Sequence, residues 1–224
     1  YADITGDQKP DVAIGRIAGI SNSDVSSYLA RSIFYDEFEK ANSMKFLASS
    51  FGGTLGAMTR KISSIFGEAG YNAIDVTSDE ESFEFDSVEW ENQDLIYYTD
   101  HGDSFWSGMS SDQIPELENS LVLSASCSTV STSSYNSFWA RAIRKGAIGY
   151  LGATGITAIS SDYSDFMNKI YYSDISIIGE AFKESYDSSS SSRAMTILIG
   201  DPTLDVSPEY MLLEELPVEN VDFG

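Results

Sequence analysis

The chain has one histidine and one cysteine, His101 and Cys127. Each stands just past a short apolar run, Leu95–Thr99 for the histidine and Leu121–Ser124 for the cysteine. Runs of this length, bounded by small and polar residues, read as buried strands. In a parallel α/β sheet, the carboxyl ends of the strands are where reactive groups gather. If the two strands are neighbours, an imidazole and a thiol reach the same rim. Nucleophilic thiol chemistry needs that pair at minimum: the imidazole accepts the proton and the thiolate attacks an electrophilic carbon. Gly102 follows the histidine, and its N–H together with that of Cys127 could hold a developing oxyanion. The small residues around the thiol (Ser124, Ala125, Ser126, Ser128) read as leaving it accessible.

Competing chemistries lack their residues. No GxSxG supports a serine hydrolase. One His and one Cys cannot fill a tetrahedral zinc site without carboxylates. Neither GxGxxG nor the Walker pattern occurs, so nucleotide binding has no support. With 35 acidic and 13 basic residues, the formal net charge of −22 argues against nucleic acid or an anionic membrane as partner. No apolar run is long enough to span a bilayer. A single cysteine rules out an internal disulfide framework.

The elements that would carry the pair can be read along the chain. Asp3, Asp7 and Asp11 lie around Gly6 and Pro10 in an acidic loop that leads to a strand at Val12–Ile17. Such loops suit calcium, but the spacing departs from the EF-hand, and a solvated loop is the simpler reading. A helix over residues 23–40 would carry Val25, Leu29, Ile33, Phe34 and Phe38 on its apolar face. A strand at Lys45–Ser49, a helix at Leu55–Glu68 with Gly70 as C-cap, and a strand at Asn72–Val76 follow. The acidic segment Ser78–Glu91 reads as an exposed connection. Beyond the cysteine come a helix at Tyr135–Lys145, a strand at Ala147–Leu151, a helix at Tyr163–Glu184 broken near Tyr172–Ser176, and a strand at Met195–Ile199. The serine run Ser188–Ser192 reads as a loop. Strands alternating with helices predict an α/β protein with a mainly parallel sheet covered on both faces.

Four blocks, in order and at matching spacing, carry a family likeness: PDVAIGRI near the start, YYTDHGDSFWSG around His101, LVLSASC at Cys127, and ILIGDPTL near the end. In these the chain resembles the gingipain-like cysteine peptidases, family C25 of the caspase-like clan. The resemblance implies a caspase-like three-layer α/β/α sandwich and a Cys127–His101 dyad. It also implies endopeptidase activity on protein or peptide substrates, with the oxyanion held by the backbone N–H groups of Gly102 and Cys127. It further implies a secreted or cell-surface protein, a structural calcium, and a zymogen with an N-terminal propeptide or companion chain. The catalytic subdomain is expected over residues 1–206, lacking an upstream portion, with 207–224 as an acidic tail or the start of a following segment. The opening at Tyr1, without methionine or a signal-like segment, reads as a fragment or processed form.

The chain departs from the arginine-specific members in two places. Phe51, within Ser50-Phe51-Gly52-Gly53, stands where those members carry a glutamate near the histidine. Leu55, Met58, Arg60 and Lys61 fall where they place the pocket aspartate, so an acidic or apolar P1 residue is expected instead of arginine. Without the glutamate, His101 would act in a two-member dyad at a lower rate. Two alternatives stand beside the peptidase: a non-catalytic calcium-binding surface module on the same fold, and a domain that cleaves only its own precursor.

Overall fold

The computed structural model describes residues 3–7, 9–48, 54–77, 90–131, 137–157, 163–173, 175–186 and 195–207. Parallel strands β1 (Ser43–Ala48), β2 (Asn72–Thr77), β3 (Leu95–Thr99), β6 (Leu121–Ala125) and β7 (Gly149–Ala153) form one sheet in the order β2-β1-β3-β6-β7. A sixth strand, β8 (Thr196–Gly200), lies antiparallel on β7. A two-stranded hairpin, β4 (Phe105–Trp106) and β5 (Met109–Ser110), follows the histidine.

The sheet is covered on both faces, and its inner strands β3 and β6 read as continuous apolar runs for that reason. One face buries Met44, Phe46, Leu95, Tyr97, Leu121 and Leu123 under α2 (Thr54–Glu68), α4 (Ser164–Tyr172) and α5 (Ile178–Glu184). The other buries Leu47, Ile96, Tyr98, Val122 and Tyr150 under α1 (Asn22–Ile33), α3 (Phe138–Arg144) and the hairpin. The result is a three-layer α/β/α sandwich.

The helix expected over residues 23–40 is shorter and turned. It starts at a capping box, Ser21 with Asp24, and stops at Ile33. Its buried positions are Tyr28 and Ser32, whereas Leu29, Ile33, Phe34 and Phe38 are exposed. Polar anchoring sets the rotation here. The Tyr28 hydroxyl donates to Ile148 O (2.9 Å) and accepts from Asp201 N–H (2.6 Å), and Ser32 Oγ donates to Asp201 Oδ2 (2.8 Å).

The strand expected at Val12–Ile17 is instead an extended segment that touches the sheet once, where Arg16 bridges to Ile199. Arg16 N–H donates to Leu198 O (3.0 Å) and Gly200 N–H to Arg16 O (2.9 Å). Thus PDVAIGRI and ILIGDPTL are halves of one contact. The approach is close: a Cβ on Gly15 would lie 2.3 Å from Gly200 O.

The break expected near Tyr172–Ser176 separates α4 from α5, and Gly70 takes a left-handed φ of +93° just past α2. The segment 78–89, residues 187–194 and residues 208–224 lie outside the described residues, as does the stretch 49–53 with Phe51.

Candidate active site

Strands β3 and β6 are parallel neighbours, and Thr99 pairs with Ala125 at their last shared level. His101 and Cys127 each stand two residues beyond that pair. Adjacent strands run about 4.8 Å apart, so equal register brings both residues to one stretch of the carboxyl rim. His101 is exposed and Cys127 half-buried, which leaves solvent access to the site.

The histidine turn is held by its neighbours. Tyr98 Oη donates to His101 O (2.7 Å) and accepts from Ser107 N–H (2.8 Å). Asp100, itself buried, accepts the His101 backbone N–H on Oδ1 (2.6 Å). Desolvation drives the Tyr98 hydroxyl far above its ordinary range, so it stays protonated and keeps donating.

The cysteine loop is pinned by backbone bonds. Ser128 takes a left-handed φ of +53°, a costly conformation for a residue with a side chain, so the chain turns sharply right after the thiol. Its N–H donates to Gly155 O (2.9 Å), and Val130 N–H donates to Ala153 O (2.9 Å). Thr157 sits against the sulfur: Cys127 Sγ lies 3.6 Å from Thr157 O, and Thr157 Oγ1 lies 3.8 Å from Sγ. The sequence carries no signal for Thr157, because it reaches the thiol from the loop after β7.

Gly102 also has a packing role. A Cβ there would lie 2.7 Å from Ser126 Oγ and 2.9 Å from Thr129 Cγ2. The missing side chain makes room for the cysteine loop, so the two turns touch directly.

The small serines beside the thiol form a buried hydrogen-bonded cluster. Ser124 and Ser126 are buried. Ser124 Oγ accepts from Trp106 Nε1 (2.9 Å) and from Thr129 Oγ1 (3.2 Å), and it lies 2.6 Å from Ser126 Oγ. Below them Tyr150 is fully buried, and desolvation pushes its hydroxyl up to about 12. Ser124, Thr129 and Trp106 are near enough to ease that shift, yet none meets the Tyr150 hydroxyl in hydrogen-bonding geometry.

Of the residues expected near a primary pocket, Leu55 is buried in the core and Met58 is half-buried against it. Arg60 and Lys61 are exposed. Arg60 Nη1 donates to Thr77 Oγ1 (2.7 Å) at the end of β2. Through Ala48, Thr77 is level with Thr99 and Ala125.

In the acidic loop the carboxylates of Asp3 and Asp11 bond to backbone groups of the loop itself. Asp11 Oδ2 accepts from Ile4 N–H and from Thr5 N–H (2.8 Å), and Asp3 Oδ1 accepts from Gly6 N–H. Those bonds hold the Asp11 carboxyl below its ordinary range. Among the described residues no three His, Cys, Asp or Glu side chains converge as metal ligands.

The profile of peptidase family C25 matches residues 1–207. The chain belongs to peptidase family C25. Among solved structures, this C25 chain is similar to one in the crystal structure of the Saccharomyces cerevisiae separase–securin complex. The TM-score is 0.57 at 15% identity, over 85% of the C25 chain and 14% of the separase chain. The sandwich is therefore of the caspase-like kind, in a cysteine peptidase family, and the chain spans only a small part of that relative's length. No curated protein sequence matches it. Among the described residues no helix is long and apolar enough to cross a membrane.

Proposed function

We propose that the chain is a cysteine endopeptidase working through a Cys127–His101 dyad. The observation that carries this reading is the shared register of the two residues on adjacent parallel strands. His101 takes the thiol proton, and the thiolate attacks the scissile carbonyl carbon. The backbone N–H groups of Gly102 and Cys127 stabilise the tetrahedral oxyanion. As the C–N bond breaks, His101 protonates the leaving amine, and a thioacyl-enzyme remains at Cys127. Water then attacks the thioester, with His101 taking its proton, and the carboxylate product and free thiol are released. The substrate is a protein or peptide, met outside the cell or at its surface.

Peptide-library turnover tests the reading, together with Cys127 labelling by an acyloxymethyl-ketone probe. Cys127→Ala should abolish turnover, by roughly three orders of magnitude or more. His101→Ala should lower it about a hundredfold. Turnover that survives Cys127→Ala rejects the dyad. A folded protein with neither labelling nor turnover points instead to a non-catalytic module on this fold.

A further inference from the structure

Around His101 and Cys127 the contacts close into a ring, and Trp106 is its keystone. The indole lies flat on Tyr98, with centroids 4.2 Å apart and planes at 10°, and Phe138 stacks on it at 4.4 Å. Tyr98 in turn holds the carbonyl of His101. On its other edge, Trp106 Nε1–H donates to Ser124 Oγ on β6, three residues before the thiol. Ser124 passes the contact to Ser126, and Ser126 abuts Gly102, next to His101.

The proton count gives the ring a direction. A serine hydroxyl has one hydrogen and two lone pairs. The Trp106 and Thr129 hydrogens occupy both lone pairs of Ser124, so its own hydrogen goes to Ser126 Oγ. Loss of the indole N–H frees a lone pair, and the Ser124–Ser126 bond is then no longer the sole arrangement. A tryptophan that only filled the core would need its stacking partners but not this donor.

We propose that Trp106 is a positioning residue that couples the His101 turn to the Cys127 loop. This rests on the dyad reading above, and its test is built to fail separately from that reading.

The test is a double-mutant cycle on the full chain, read as the rate of Cys127 alkylation by iodoacetamide at neutral pH. Trp106→Phe keeps the stack on Tyr98 and removes the donor. In the wild-type background, His101→Ala should slow alkylation roughly tenfold, because the imidazole promotes the thiolate. In the Trp106→Phe background, the same change should cost less than about threefold, which is the signature of coupling. If the factor is equal in both backgrounds, Trp106 is not a positioning residue and the dyad still stands. If His101→Ala changes nothing in the wild type, the dyad fails and the proposal with it. Should Trp106→Phe not fold, Ser124→Ala removes the acceptor of the same bond, and the same outcomes decide.

Discussion

Gly102 shows most directly how one residue couples two turns. A methyl group there meets Ser126 Oγ at 2.7 Å and Ser126 Cβ at 2.8 Å, below any distance that real contacts tolerate. Gly102→Ala should therefore cost about 1–3 kcal/mol, as overpacking does, and slow Cys127 chemistry by moving its loop. Adding Ser126→Gly removes the two nearest opposing atoms and leaves Thr129 Cγ2, so it should recover part of the melting temperature. A Gly102→Ala melt matching the wild type would show that the turns part easily. The residues of the site were legible to unequal degrees. His101 and Cys127 stood out because each is the only one of its kind in the chain. Ser124 and Ser126 read only as small residues flanking the thiol, and the bonds from Trp106 and Thr129 to Ser124 emerge from packing across the sheet. Thr157 left no trace, since contacts between distant loops have no spacing in sequence.

Among the elements, the inner strands β3 and β6 were readable because burial on both faces leaves continuous apolar runs, whereas the stretch 12–17 makes only one bridge to the sheet. Helix α1 was misread for an equally physical reason. Its apolar residues at helical spacing mark a face, but that face is exposed, and hydrogen bonds from Tyr28 and Ser32 fix the rotation. Asp201 is the centre of that anchor. Burial pulls its carboxyl upward, but bonds from Thr203 N–H (2.9 Å), Thr203 Oγ1 (2.7 Å) and Ser32 Oγ outweigh it and hold the group below its ordinary 3.8. A lowered carboxylate stabilises the fold above the unfolded value, and that stability is lost as pH falls through the folded one. Asp201→Asn should thus cost about 1 kcal/mol at neutral pH, a modest figure because solvent screens this partly exposed group. Denaturant melts of the two proteins should converge as the pH drops below about 4. A gap that persists in acid would mean that shape, not charge, carries the anchor.

At the scale of the whole molecule, charge dominates. A net −22 on 224 residues sets many carboxylates against one another in the compact state. Salt shortens the reach of that repulsion, from about 30 Å at 0.01 M to about 3 Å at 1 M. The melting temperature should therefore rise by several degrees across that range in sodium chloride, about 1 kcal/mol for a chain of this size. A flat response would place the acids too far apart to matter.

The contact between Arg16 and Ile199 joins the first extended segment to the last strand. A polypeptide made from its amino end must therefore keep Arg16 waiting until β8 exists. Until β8 is made, the edge of β7 that it covers stays open. This seam thus joins stretches far apart in sequence, and a chain that stops short of β8 offers the open β7 edge to a neighbouring strand.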